Sequence, residues 1–348
     1  MLDKIIHFSI HNKFVVGLLT LGLIAWGSYS LTQLPIDALP DITNNQVQII
    51  TTSPTLATQE VEQFITYPVE LAVKSIPKVV ELRSISRFGI SVVTVVFEEG
   101  VDVYWARTQI SERLKMAVEN IPPGLGTPEM APISTGLGEI YQYTVFAKKG
   151  FEEKYDAMEL RTIQDWIIIP QLLGTKGIAE VNTHGGHLKQ YEVAVNPDKL
   201  RSMETNMVEV FDALERSNEN TGGAYIDKKP NAYFIRGIGV VSSLSDIEKI
   251  VIKNQGGKPL LIGDVATVDF GSAIRYGAIT KNGQGEAVVG MVLMLKGENS
   301  AEVVRLVKEK VEQIRKTLSE GVGIEPFLDR TKLVNNAIGT VQTNRMEG

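Results

Sequence analysis

Residues 14–34, FVVGLLTLGLIAWGSYSLTQL, run for 21 positions without a charged side chain. As a helix this run is about 31 Å long at ~1.5 Å per residue, enough to cross a bilayer core of ~30 Å. It is apolar on every face, which a helix lying on a soluble core would not be. It also exceeds the ~7–15 residues of a signal-peptide core, and no small-x-small cleavage site follows it. The run therefore predicts a membrane helix, with Trp26 and Tyr29 suited to an interface. Lys4 and Lys13 precede it, and Asp37 and Asp41 follow it. Positive charge favours the cytoplasmic side, so the rest of the chain is expected outside, in the periplasm of a Gram-negative cell. Pro35 and Pro40 push Leu34 and Leu39 out of the helical region, so the helix should stop there.

The remaining three hundred residues have to form soluble structure. With 348 residues the chain suits two or three compact units, and 43% hydrophobic with 22% charged residues suits ordinary cores. A formal net charge of −6 argues against nucleic acid as a partner. There are no cysteines, which excludes disulfides and thiolate metal sites. The histidines are His7, His11, His184 and His187.

Beyond the prolines the hydrophobic period alternates between two and 3.6 residues. NQVQIITT (45–52) reads as a strand. Residues 57–76 place Val61, Phe64, Ile65, Val69, Ala72, Val73 and Ile76 on one helical stripe that Pro68 interrupts. Strands follow at 79–88 and 90–98, then a helix capped by Asp102. A second β-α-β set begins at 139–148, with a helix opened by the capping-box-like pair Asp156 and Glu159, and a strand at 177–183. Its other half comes later: a strand at 286–295, a helix opened by Asn299, and a strand at 324–330. Met291 and Met294 fall on opposite faces of the strand 286–295, so they read as packing residues, not a thioether pair. Residues 187–272 are an insertion with a helix starting near Asn206. The expected fold class is α+β: one N-terminal transmembrane helix, then two ferredoxin-like split β-α-β modules, the second interrupted by the insertion. Residues 330–348 read as an amphipathic helix. An unrelated α+β ectodomain is the competing architecture.

The segments PIDALPDI, QVQIITTSPTLATQEVEQFITYPVE, RSISRFGISVVTVVFE, YWAR (104–107), TGLGEIYQY (135–143), LRTIQDW (160–166), IAEVN, KQYEVAVNPDKL and DRTKLV (329–334) occur in this order. Together they resemble the N-terminal part of the heavy-metal efflux branch of the RND (resistance–nodulation–division) transporters, the cobalt-zinc-cadmium and copper-silver pumps. The resemblance implies a cytoplasmic N-terminus (1–13), a transmembrane helix (14–34), a first porter subdomain (35–135), and a second porter subdomain (136–186 and 273–330). A docking subdomain (187–272) interrupts the second, and an amphipathic helix (331–348) leads to a second membrane helix beyond the sequence. It also implies a homotrimer in the inner membrane, a periplasmic adaptor and an outer-membrane channel as partners, and metal cations exported by inward proton flow. The family's acidic proton relay would lie beyond residue 348, so the chain is expected to be either the N-terminal piece of a longer protein or the product of a truncated reading frame.

The same resemblance singles out Glu139, where the copper-silver pumps carry tryptophan. Glutamate there favours zinc, cobalt or cadmium as the transported ion, because a carboxylate binds and releases a borderline divalent cation readily. A solvated strand-end glutamate is the plain alternative. His184 and His187, in THGGH, can converge on one ion from a glycine turn, though they lack a third ligand, and a surface loop is the plain alternative. His7 and His11 read as interfacial. No nucleophile–base–acid constellation is present, and LKGENSAE (295–302) lacks the spacing of a phosphate loop, so neither an enzyme nor a bound cofactor is expected. The metal is substrate. Two other functions fit the pattern: a multidrug exporter of the same superfamily, and a self-contained membrane-anchored binding or adaptor module.

Overall fold

The computed structural model describes residues 10–32, 43–275, 277–283 and 285–331. His7, Pro35, Asp37, Pro40, Asp41 and the helix expected over 331–348, past Thr331, lie outside the described residues. Helix α1 (Lys13–Thr32) has 20 residues. None of the side chains in its apolar stretch, Lys13–Ser30, is buried by the protein, and it is long and apolar enough to cross a membrane. Trp26 and Tyr29 are exposed on it.

The described chain divides into two compact units. The first takes residues within Met1–Val145, Trp166–Thr183 and Val289–Gly348. Strands β1 (Gln46–Thr52), β2 (Val79–Arg87), β3 (Ile90–Phe97) and β4 (Glu129–Met130) form a sheet in the order β2-β3-β1-β4. β3 runs antiparallel to both β1 and β2, with Ile49 opposite Val93. Helices α2 (Thr58–Val61), α3 (Tyr67–Val73) and α4 (Val103–Asn120) cover this sheet. The core joins Val47 and Ile49 of β1 with Val93, Val95 and Phe97 of β3. Val69 and Val73 of α3 and the stripe Ala106, Ile110, Leu114 and Ala117 of α4 close it. Asp102 caps α4 by accepting from the Trp105 amide at 2.7 Å.

Between α2 and α3 the helix widens into a π segment, Glu62–Thr66. The reason lies in the spacing of the buried residues. Val61, Ile65, Val69 and Val73 are each four apart and all 0% exposed. An α-helix overshoots by about 40° at each such step, or about 120° over three. The wider turn absorbs that drift and keeps all four in the core. It also turns Phe64 outward, against the stripe expected from a 3.6-residue period. Thr66 pins the segment: its Oγ1 lies 2.8 Å from both Ser86 Oγ and Ser91 Oγ. The helix formed by α5 (Ala157–Ile163), a π segment (Gln164–Ile168) and α6 (Ile169–Leu173) has the same build. There Leu160, Gln164, Ile168 and Leu172 are buried, again four apart. Pro68 and Pro170 each follow a π segment by two residues and withdraw one amide donor.

The second sheet has the order β14-β5-β13-β6, from β5 (Glu139–Ala147), β6 (Ile178–His184), β13 (Val288–Met294) and β14 (Val322–Asp329). Helix α11 (Ser300–Thr317) buries Val303, Val304, Val307, Val311 and Ile314, and Asn299 caps it. Met294 is buried and Met291 half-buried, as strand alternation requires.

At the end of β14, Asp329 Oδ2 lies 2.5 Å from Lys308 Nζ, and Oδ1 accepts from the Thr331 amide at 2.9 Å. Burial pushes the Asp329 carboxyl up, but the bonds from Lys308 and Thr331 outweigh it and hold the group below its usual range. A depressed carboxyl stabilises the fold above the unfolded pKa of ~3.9, and that contribution is lost as pH falls through the folded value. Asp329→Asn should therefore cost about 1 kcal/mol near neutral pH and progressively less below about pH 4. Urea unfolding at pH 7 and pH 3 checks this; a gap that does not shrink on acidification contradicts it.

The second unit takes Phe146–Asp165 and His184–Val288. β7 (Lys189–Val195) pairs antiparallel with β12 (Ala266–Ser272), Val193 opposite Val268. Around them stand α7 (Pro197–Ser202), α8 (Met207–Arg216), α9 (Leu244–Glu248), the hairpin of β10 (Val251–Gln255) and β11 (Lys258–Leu261), and α10 (Ile262–Val265). Val210, Ala213, Ile247, Leu260, Ile262 and Val265 form the core. A second hairpin, β8 (Thr221–Lys228) with β9 (Asn231–Gly237), is exposed at every position.

Candidate metal-binding residues

Glu139 opens β5 in the first unit. The next two residues, Ile140 and Tyr141, are buried, so the strand is committed to the core one step after it. Glu139 itself stays exposed, and its Oε2 accepts from Gln142 Nε2 at 3.1 Å. The turn before it is fixed by backbone bonds: Gly138 donates to the Thr135 carbonyl, and Met294 donates to the Gly138 carbonyl, both at 2.8 Å. The result is an accessible carboxylate on a rigid backbone, with a side-chain amide beside it. That suits transient capture of a divalent cation.

His184 and His187 belong to the second unit and flank Gly185 and Gly186. Both glycines have positive φ, +73° and +69°. The turn is held from two sides. Arg161 Nη1 donates to the carbonyls of Gly185 (3.2 Å) and Gly186 (3.3 Å), while its Nε lies 3.4 Å from Asp165. Glu286 Oε1 accepts from the Gly186 amide at 3.0 Å and from Arg275 Nη1. Its other oxygen, Oε2, lies 3.5 Å from His187 Nε2. His187 is thus half-buried against a carboxylate, and His184, ending β6, is exposed. His11 precedes α1 and is exposed.

Among the described residues, no group of three or more His, Cys, Asp or Glu side chains converges to hold an ion. Glu139 stands in the first unit, and the histidine pair acquires one carboxylate, Glu286, that sequence reasoning missed. Its separation of about a hundred positions from His187 leaves no local signal. Arg161 was within a recognised segment, LRTIQDW, but nothing there pointed to the glycine turn. An open cleft of the first unit, about 750 Å³, is lined by Glu81, Glu98, Glu99, Asp102 and Lys296 among others, and none of the predicted ligands lines it.

The model of the AcrB/AcrD/AcrF family matches residues 5–348. The chain belongs to the AcrB/AcrD/AcrF family. Within it, the chain is 44% identical over 352 residues to the cobalt-zinc-cadmium resistance protein CzcA of Cupriavidus metallidurans, covering 100% of this chain and 33% of that protein. It is 37% identical over 348 residues to the cation efflux system protein CusA of Escherichia coli (strain K12), again covering 100% of this chain and 33% of that one. Among solved structures, a heavy metal efflux pump superposes with a TM-score of 0.87 at 30% identity, over 98% of this chain and 34% of that one. The heavy-metal resemblance carried by the motifs is borne out. As a member of the AcrB/AcrD/AcrF family, the chain spans about a third of the length of the curated relatives it matches.

Proposed function

We propose that this chain is the N-terminal porter portion of a proton-driven efflux transporter for divalent heavy-metal cations, of the zinc, cobalt or cadmium kind. One observation carries the reading: the likeness to cation efflux and metal resistance proteins runs the whole length of the chain, through both units. Glutamate at position 139 gives it a chemistry, a hard-to-borderline oxygen ligand in an accessible position.

The two four-stranded sheets are read as ferredoxin-like porter modules. Their strand orders support this, since each places the first and third strands of its module in the middle. The segment 187–272 is read as the docking subdomain inserted in the second module, and α1 as the inner-membrane anchor that leaves the bulk of the chain in the periplasm. Glu139, His184 and His187 are assigned as cation ligands. The assembly is a homotrimer working with a periplasmic adaptor and an outer-membrane channel. The hairpin of β8 and β9 supports subunit contact: Tyr225, Tyr233, Phe234 and Ile235 all stand exposed on it, Phe234 at 84%, and an apolar surface of that kind asks for a partner. The proposed activity is transport and needs no enzymatic step.

Calorimetry with zinc or cobalt on the detergent-purified chain tests the core of this. Glu139→Ala should weaken binding about tenfold or more, which is ~1.4 kcal/mol or more. An unchanged affinity removes Glu139 from the site. Light scattering on the same sample should give three times the chain mass; a monomer removes the trimer from the proposal.

A further inference from the structure

Arg330 follows β14 directly and is only 7% exposed. A guanidinium is taken out of water only where a specific geometry compensates its desolvation. Its Nη1 donates to the carbonyl of Leu137, 193 positions earlier in the chain. Leu137 lies two residues before Glu139. Three carbonyls of this short turn are therefore engaged. Thr135 accepts from Gly138, Leu137 from Arg330, and Gly138 from Met294. The turn has little room to shift: a Cβ on Gly138 would stand 3.0 Å from the Thr135 oxygen and 3.2 Å from the Met294 oxygen. Of the three bonds, only that of Arg330 comes from a side chain. Arg330 is in turn fixed at its own backbone, because the preceding Asp329 is tied to Lys308 and to the Thr331 amide. The guanidinium donates to a backbone carbonyl, so it bears on the turn itself.

We propose that Arg330 is a positioning residue: by holding the Leu137 carbonyl it sets the direction in which Glu139 presents its carboxylate to a divalent cation. The inference rests on the reading of Glu139 as a cation ligand. Arg330 touches no cation itself. Groups that orient metal ligands typically change affinity by about 10- to 100-fold when removed, so an effect of about tenfold is expected here.

The test uses the full chain, membrane helix included, in detergent, with zinc and cobalt ions titrated by calorimetry and thermal unfolding recorded alongside. Four variants are compared: Glu139→Ala, Arg330→Gln, Arg330→Lys and the double variant Glu139→Ala with Arg330→Gln. Arg330→Gln should weaken binding about tenfold, and Arg330→Lys, which keeps a cationic donor for the carbonyl, should recover part of the loss. The double variant should bind no more weakly than Glu139→Ala alone, because the two residues act through one carboxylate. A residue that merely stabilises the fold would weaken both backgrounds by the same factor, and that result overturns the proposal. Wild-type affinity in Arg330→Gln also overturns it. If Glu139→Ala itself leaves affinity unchanged, the ligand reading fails first and the positioning role goes with it. Should Arg330→Gln not fold, Gly138→Ala pushes on the same turn from the other side. It must weaken binding in the wild-type background and have no effect in the Glu139→Ala background; any other pattern rejects the positioning role.

Discussion

Replacing Gly290 by alanine should destabilise the first unit by about 3 kcal/mol or more, the upper end of what overpacking costs. Gly290 lies in β13, beside Tyr143 of the neighbouring strand β5. A Cβ there would stand 2.2 Å from Tyr143 Cζ, 2.4 Å from its Oη and 2.6 Å from its Cε2. These atoms are the far end of a side chain, which ordinarily gives way cheaply. Tyr143 cannot, because it is 0% exposed and packed on all sides. Interiors are close-packed, so moving a buried ring means moving the strands. The glycine is in effect a notch cut in β13 to seat the tyrosine of β5. Thermal unfolding reads the cost: roughly 2–4 °C per kcal/mol in a unit of this size. The double variant Gly290→Ala with Tyr143→Leu removes the clashing atoms. It should be less destabilised than the sum of its single variants. Simple additivity would show that the notch is not the cause.

Neither half of that pair was legible in the sequence, and the contrast with what was legible is instructive. Helix starts were readable because a cap is decided within four residues. Asp102, Asp156, Asn206 and Asn299 each accept from backbone amides at the ends they were expected to open. Even there the outcome was partial. Asp156 caps α5, but Glu159 does not complete a capping box; its carboxylate lies 2.5 Å from Lys189 Nζ instead. A charged partner brought in by the fold outcompeted the local amide. The π segments were hidden for a related reason. A repeat of four looks like a sloppy α-helical stripe in a short window, and only the burial of Val61, Ile65, Val69 and Val73 together shows that the helix itself widened. For the candidate ligands, sequence delivered the positions and not their surroundings. Glu139 was marked by its motif, but the lock on its turn comes from Met294 and Arg330, far along the chain. The partner of His187 is Glu286, which no motif marked.

The same separation makes Gly185 the most sensitive position of the histidine turn, and Gly185→Ala should cost about 4 kcal/mol. Two effects add. The left-handed conformation at φ +73° costs a residue with a Cβ about 1–2 kcal/mol. The new Cβ would also stand 2.1 Å from the Ala287 carbonyl oxygen, which is backbone and cannot rotate aside. Ala287 is itself held, its amide donating to the Ile279 carbonyl at 2.8 Å. The turn would have to move instead, and moving it strains the Arg161 contacts to Gly185 and Gly186 and the Glu286 contact to the Gly186 amide. Gly257 supplies the comparison. It also has positive φ, +82°, but a Cβ there meets nothing within 4 Å. Gly257→Ala should therefore show the conformational cost alone, about 1–2 kcal/mol. Denaturant unfolding of both variants separates the two effects, and a difference of less than about 1 kcal/mol between them would contradict the carbonyl clash. Hydrogen exchange locates it: amides of Gly186 and Ala287 should lose protection in Gly185→Ala and keep it in Gly257→Ala. The turn that carries His184 and His187 is therefore built around an absent side chain, and any larger residue at 185 should displace both imidazoles whatever ion they meet.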